Sequence, residues 1–250
     1  MLLEGQTIIV TGASSGIGAA ATRLFAAEGA GVVLGARRGD LLRDLEDEVK
    51  RAGGQAVSLA GDVTDARYAA DLVSLALDTF GGLDGAFNNA GTTGELGPVE
   101  QMSDRTWQTV IDVNLTSGFH AARHQIPALR RRGRGSLVFT SSFVGHTVGL
   151  PGMAAYAAAK AGLIGMTQVM AAELGPENIR VNALLPGGTR TAMAGDDPAA
   201  HDWISGLHAL KRMAEPTEIA RTALFLISDQ SSFVTGSALI ADGGNSITKL

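Results

Sequence analysis

Seven short apolar runs set the strongest limit on what this chain can fold into: Thr7–Val10, Gly31–Leu34, Ala56–Leu59, Leu83–Phe87, Ser136–Phe139, Arg180–Leu184 and Ala238–Ile240. They are rich in β-branched residues, and several lack the polar alternation of a strand with one wet face. Such runs suit strands buried on both faces of a parallel sheet. Between them fall stretches with helical spacing: Ile17–Glu28, Asp40–Ala52, Ala66–Phe80, Asp104–Arg130, Ala154–Leu174 and Thr217–Leu226. The alternation predicts an α/β fold, a doubly wound parallel sheet of about seven strands with helices on both faces. Right-handed crossovers and ligands at the carboxyl ends of the strands follow from that topology.

No Pro-rich or Gly/Ser-rich linker and no repeat divides the 250 residues, so one domain over 1–250 is expected. The longest stretch without clear periodicity, at about 187–213, reads as a lid or substrate loop. Hydrophobic residues at 45% against charged residues at 18% suit a closely packed interior. The absence of Cys excludes disulfides, thiolate metal sites and Cys nucleophiles, and makes a reducing cytoplasm the natural setting. A net charge of −5 argues against nucleic acid as a partner. The basic run Arg130, Arg131, Arg132 and Arg134 reads as a solvated helix end facing the carbonyls of the last turn. No apolar run approaches the roughly 20 residues of a membrane helix, and the five histidines show no zinc-site spacing, so neither a membrane nor a metal is expected.

The first strand runs into Thr11-Gly12-Ala13-Ser14-Ser15-Gly16-Ile17-Gly18 and then a helical stretch. Glycines let the backbone turn tightly and approach a pyrophosphate, while a helix start supplies unpaired N–H groups and partial positive charge. Ser14 and Ser15 add hydroxyl donors. The turn is expected to cradle phosphate, a plain strand-to-helix connection being the alternative.

The spacing Gly12…Gly16-x-Gly18 is wider than the common dinucleotide fingerprint. Gly61-Asp62-Val63, Asn88-Asn89-Ala90-Gly91, Asn114, Ser141-Ser142, Tyr156-x-x-x-Lys160, Pro186-Gly187 and Asp242-Gly243-Gly244 follow it in order. Over nearly its whole length the chain therefore resembles the short-chain dehydrogenase/reductase superfamily. The resemblance implies a single Rossmann-type domain and a nicotinamide cofactor bound at Gly12, Ser14, Ser15, Gly16, Ile17 and Gly18. It sets Asp62 and Val63 beside the adenine. Asn89, Ala90 and Gly91 would support the central sheet and the ribose, although Asn88 and Asn89 equally suit backbone bonds at a strand end. Pro186-Gly187 would pack against the nicotinamide, with Thr189 and Thr191 on its carboxamide; many relatives have a β-branched aliphatic residue where Thr189 stands.

NAD-preferring members of that superfamily carry an acid at the end of the second strand, on the ribose 2′-hydroxyl. Here the stretch is Gly35-Ala36-Arg37-Arg38, with Ala36 in the acid's place. Arg37 and Arg38 are expected to clamp a 2′-phosphate, making NADP(H) the cofactor and NAD(H) the runner-up. Alternatively, both arginines solvate the start of the next helix.

Tyr156 and Lys160 stand four apart on a helical stretch and share one face. A cation near 4 Å at an effective dielectric of about 20 is worth roughly 4 kcal/mol, an upper bound of about three pKa units on the phenol. The expected reaction interconverts a carbonyl compound and its secondary alcohol by hydride transfer. Tyr156 is its acid/base and also touches the cofactor with Lys160, while Ser142 hydrogen-bonds the substrate oxygen. Ser141 is the weaker candidate for that last role. Ser142 lies fourteen residues before Tyr156 where the family often shows thirteen, which implies an insertion in Gly145–Met153. Asn114 resembles the family asparagine that bends its helix and orders a water linked to the lysine.

Substrate specificity is expected in His146–Met153 and 187–213, where Met193, Trp203, Ile204 and Leu207 either line an apolar pocket or pack the lid shut. The resemblance also implies a homotetramer paired through helices Asp104–Arg130 and Ala154–Leu174. Ala158, Ala159 and Gly162 would permit close approach there, and suit an internal contact equally well. A non-catalytic dinucleotide-binding redox sensor is the rival from another class, which the intact Ser142, Tyr156 and Lys160 speak against.

Overall fold

Ile8, Ile9 and Val10 in the first strand alternate between two apolar layers, because successive strand residues face opposite sides of a sheet. Ile8 and Val10 pack into one layer with Val32, Leu34 and Val138; Ile9 packs into the other with Val33, Ala86 and Leu137. The computed structural model describes residues 1–248; Lys249 and Leu250, part of the expected 1–250 domain, lie outside the described residues.

The elements run β1 (Thr7–Thr11), α1 (Gly16–Ala27), β2 (Gly31–Ala36), α2 (Gly39–Arg51), β3 (Gln55–Ala60), α3 (Ala66–Phe80), β4 (Gly85–Asn88), α4 (Asp104–Ile111), α5 (Ser117–Arg132), β5 (Gly135–Thr140), α6 (Ala154–Leu174), β6 (Ile179–Pro186), α7 (Pro198–Leu207), α8 (Pro216–Ile227) and β7 (Ala238–Ala241). All strand pairs are parallel, in the order β3-β2-β1-β4-β5-β6-β7. This is the doubly wound α/β architecture. Phe25 of α1, Leu42 and Leu45 of α2, and Ala220 and Ala223 of α8 fill the first layer. Leu72 and Ala76 of α3, Leu129 of α5, and Leu163 and Met170 of α6 fill the second. The order reverses between β1 and β4, opening a crevice at the carboxyl rim of the sheet where ligands bind in such folds.

Helix ends follow local chemistry. Asp65 accepts from Arg67 N to cap α3, which stops at Gly81 in left-handed backbone, and Ser103 accepts from Thr106 N to cap α4. Pro216 starts α8, whose Glu218 side chain reaches back to Glu215 N.

Three expectations are corrected. The helix expected over Asp104–Arg130 is interrupted by a π-helical turn at Asp112–Thr116. The stretch 187–213, expected as a loop, contains α7, capped by Asp197 through Ala199 N with Pro198 in its first turn. The arginine run is not merely solvated. Arg130 pairs with Glu177 (2.6 Å), and Arg132 pairs with Asp84 (2.9 Å), a buried carboxylate that also accepts from Thr7 N. Among the described residues no helix is long and apolar enough to cross a membrane.

Candidate active site

Most of the residues singled out in the sequence meet along one cleft of about 650 Å³ at the carboxyl rim. Gly12, Ser14, Ser15, Gly16 and Ile17 line it after β1; Arg37 and Arg38 after β2; Asp62 and Val63 after β3; and Asn89, Ala90 and Gly91 after β4. Ser142, Tyr156, Lys160, Pro186, Gly187, Thr189 and Thr191 complete it from β5, α6 and β6. Gly18 and Asn114 stand behind its wall.

The Gly-rich turn is shaped by contact. Gly12 has φ +66°, and a Cβ on Gly18 would lie 2.2 Å from the Gly12 carbonyl oxygen, so the helix start presses against the strand end only because Gly18 lacks a side chain. Ser15 occupies the N-cap of α1 without a side-chain cap bond. Its hydroxyl and that of Ser14 instead accept from the Arg38 guanidinium at 2.6 and 2.9 Å. The first N–H groups of α1 thus remain available to an anion. Arg38 therefore does more than solvate the start of α2. Ala36 closes β2 with no carboxylate, and Arg37 stands near Asp62, whose carboxyl is held below its ordinary range first by hydrogen bonds from Thr64 and also by that guanidinium.

Asn89 ties three strand ends together. Its backbone N donates to Thr11 Oγ1, its Nδ2 donates to Thr11 O, and its Oδ1 accepts from Thr140 Oγ1. Asn88 exchanges a reciprocal pair of hydrogen bonds with Gln125 of α5. Both asparagines thus serve the strand ends. Asn114 sits within the π turn and is buried, its Nδ2 donating to Thr92 O and Val110 O and its Oδ1 accepting from Thr92 N. A Cβ on Gly91 would meet both Asn114 Oδ1 (2.9 Å) and Lys160 Nζ (3.3 Å), so this glycine marks the gap between asparagine and lysine.

Tyr156 lies on the first turn of α6, half-buried, with the Lys160 ammonium 5.5 Å from its ring centroid. Lys160 is 2% exposed and donates to Thr140 O at 2.6 Å. Burial pushes its pKa down to about 7. Burial also raises the Tyr156 phenol above its ordinary value, and the Ser142 hydroxyl facing it draws it partway back. The lysine's charge alone would point the phenol downward; the phenol's own burial reverses that direction. Ser141 is committed elsewhere, donating to Lys160 O at 2.7 Å. The insertion implied after Ser142 forms a tight turn in which Gly145 N donates to Val148 O, packed so closely on α6 that a Gly145 Cβ would lie 2.5 Å from Ala157 O.

On the far wall Thr189 Oγ1 is occupied by Gly187 O, and Thr191 packs across Gly16. Trp203, Ile204 and Leu207 of α7 line the cleft, as do Met193, Leu150 and Met153. Thr92, Thr93, Leu96, His208 and Asn245 also line it, and sequence reasoning missed them as site residues. Each is placed there by convergence of distant segments rather than by a local pattern.

The cradle that a Cβ would fill, the uncapped helix start and the arginines beside it together fit a dinucleotide. A family model described as enoyl-(acyl carrier protein) reductase matches residues 12–246. The chain is 40% identical to an A-factor type gamma-butyrolactone 1'-reductase (1S-forming) of Streptomyces virginiae, over 98% of this chain and 97% of that one. It is also 40% identical to a 3-oxoacyl-(acyl-carrier-protein) reductase of Thermotoga maritima, over 98% and 99%. Its backbone superposes on the crystal structure of a short-chain type dehydrogenase/reductase from Mycobacterium marinum with a TM-score of 0.94 at 33% identity, covering 98% and 97% of the two chains. On this fold, this rim of residues and these full-length matches, the chain belongs to the short-chain dehydrogenase/reductase family, oxidoreductases that interconvert alcohols and carbonyl compounds with a nicotinamide dinucleotide.

Proposed function

We propose that the protein is an NADP(H)-preferring ketone reductase and secondary-alcohol dehydrogenase in which Tyr156 is the acid/base. The observation that carries this reading is the meeting of Ser142, Tyr156 and Lys160 on one wall of the cleft, with the Ser142 hydroxyl facing the phenol and the Lys160 ammonium 5.5 Å from its ring.

Gly12, Ser14, Ser15, Gly16, Ile17 and Gly18 would hold the pyrophosphate; Asp62, Val63, Asn89, Ala90 and Gly91 would border the adenosine. Pro186, Gly187, Thr189 and Thr191 would flank the nicotinamide. When bound, the nicotinamide supplies hydride chemistry. Arg38 supports the 2′-phosphate assignment: three of its donor contacts go to Ser14 and Ser15, and its Nη1 pair is uncommitted among the described residues.

In the reductive direction Tyr156 gives its proton to the carbonyl oxygen, and Ser142 donates a hydrogen bond as negative charge grows there. A phenol raised by burial is stored in its acid form, ready to donate. Lys160 in its charged form stabilises the phenolate left behind. The Gly91 gap between Lys160 and Asn114 suits a water that returns a proton to the pair. Oxidation of an alcohol is the reverse. Exposed Trp107, Phe119 and Val169 on α4, α5 and α6 support assembly into a homotetramer. Gly162 instead packs internally against Leu115.

The test titrates NADPH and NADH into the purified protein and assays a ketone panel with each. NADPH should bind at least about tenfold tighter, and Arg37→Ala should erode that preference. Tyr156→Phe should keep cofactor binding and lose on the order of 10²–10⁴-fold in turnover. Full turnover by Tyr156→Phe refutes the mechanism; equal affinity for NADH refutes the cofactor preference.

A further inference from the structure

The turn after β7 sets one side chain in the cleft wall. Gly243 and Gly244 both take left-handed backbone, with φ of 58° and 80°. The Asp242 carboxylate accepts from Gly244 N at 2.9 Å and from Ser246 N at 2.7 Å, which fixes the turn. Ser246 Oγ lies 2.5 Å from Thr147 Oγ1, tying it to the loop that begins at Ser142. Between these anchors stands Asn245, 7% exposed and on the cleft wall. Among the described residues its amide nitrogen has no hydrogen-bond partner. Polar groups this deeply buried are nearly always paired, so an unpaired one calls for a partner from outside the chain.

The neighbouring walls narrow what that partner is. Leu150, Met153, Trp203 and Ile204 are apolar. His208 has both ring nitrogens committed, to Gly188 N at 3.0 Å and Ile204 O at 2.7 Å. The charged side chains lining the cleft are Arg37, Arg38 and Asp62 at the β2–β3 end and Lys160 beside Tyr156. Among the described residues no other charged side chain lines the cleft to pair with a charged substrate tail.

Resting on the carbonyl–alcohol reading above, we infer that Asn245 is a specificity-determining residue whose amide donates to a second, uncharged oxygen of the substrate. The favoured substrates are then neutral, largely apolar ketones or alcohols that carry an additional ester, ether or carbonyl oxygen.

The experiment compares ethyl acetoacetate with methyl pentyl ketone, and ethyl levulinate with methyl hexyl ketone. Each pair matches in chain length and differs in the ester oxygens. kcat/KM is measured with saturating NADPH and NADH for the wild type, Asn245→Leu and Asn245→Ser, and Tm is recorded for each protein without substrate. In at least one pair the wild type should prefer the ester, and both variants should lower the ester-to-ketone ratio by about tenfold or more. Asn245→Leu should melt at or above the wild type, because it removes an unpaired buried amide. An unchanged ratio, or a Tm lower by more than about 3 °C, overturns the inference and leaves the reductase reading standing. A wild type that turns over none of the four ketones overturns the reductase reading and this inference with it.

Discussion

The Arg38 guanidinium and the Ser15 hydroxyl are joined by a 2.6 Å hydrogen bond across the strand-to-helix turn, so the cation that follows β2 is fastened to the Gly-rich turn that follows β1. Arg38→Ala should weaken NADPH binding by about 10- to 100-fold, the equivalent of one or two charge-assisted hydrogen bonds, and leave NADH binding within about threefold. Ala36→Asp should raise NADH affinity and repel NADPH, because it restores an acceptor for the ribose hydroxyl. Fluorescence titration of both nucleotides checks both expectations, and equal losses for the two nucleotides in Arg38→Ala would refute the 2′-phosphate assignment.

Lys160 makes stability depend on pH. A lysine at its ordinary value titrates near 10.5, whereas burial pushes this one to about 7. Between those values the unfolded chain holds the extra proton, so this group's contribution to stability rises with pH, and its penalty is full below about pH 7. Above that point the wild type should gain on Lys160→Met by as much as ~1.4 kcal/mol per pH unit. Urea unfolding of both proteins from about pH 6.5 to about 9.5 checks this, and a constant difference across the range contradicts it.

Gly18→Ala should fail through packing. The added methyl would sit 2.2 Å from the Gly12 carbonyl oxygen, a backbone atom, and 2.9 Å from Asn89 Nδ2, a side-chain nitrogen held by Thr11 O. A loss of about 3 kcal/mol is expected, together with loss of dinucleotide binding as the cradle opens. Denaturant unfolding and nucleotide titration on the same sample measure the two effects.

Asp84 and Arg132 form one ion pair with unequal consequences. Asp84 is buried and also accepts from Thr7 N, so Asp84→Ala strands a buried donor and should cost about 2–3 kcal/mol. Arg132 is 41% exposed, and Arg132→Ala should cost less than about 1 kcal/mol. Similar Tm losses in the two variants would mean that the carboxylate matters only as the arginine's partner.

Strands β1, β2, β4, β5 and β6 were legible because they are buried on both faces, whereas the edge strands β3 and β7 are partly exposed, and much of the carboxyl rim was legible because its residues follow those strands in fixed order. Ser142 could be named from that order, and Asn114 from its resemblance to the family asparagine. α7 carried its signal in Asp197-Pro198, but the stripe of Trp203, Ile204 and Leu207 faces a cleft rather than the core, so its periodicity is weak. Arg130 and Arg132 looked solvated because their partners Glu177 and Asp84 lie 47 and 48 residues away. Asn245 and His208 had no local signature, since their place in the cleft depends on how the turns after β6 and β7 meet α7.

The π turn at Asp112–Thr116 also acts as a phase setter. From Val110 through Asn114 to Gly118, buried positions recur every four residues, so two turns take eight residues where an α-helix takes about seven. The surplus residue rotates all of α5 by about 100° relative to an unbroken helix. That rotation lays Gly118, Ala122 and Gln125 against the sheet. Deleting a single residue at the bulge would turn that stripe away and carry Gln125 off Asn88, so an alteration far from the nucleotide would unseat the strand end next to Asn89.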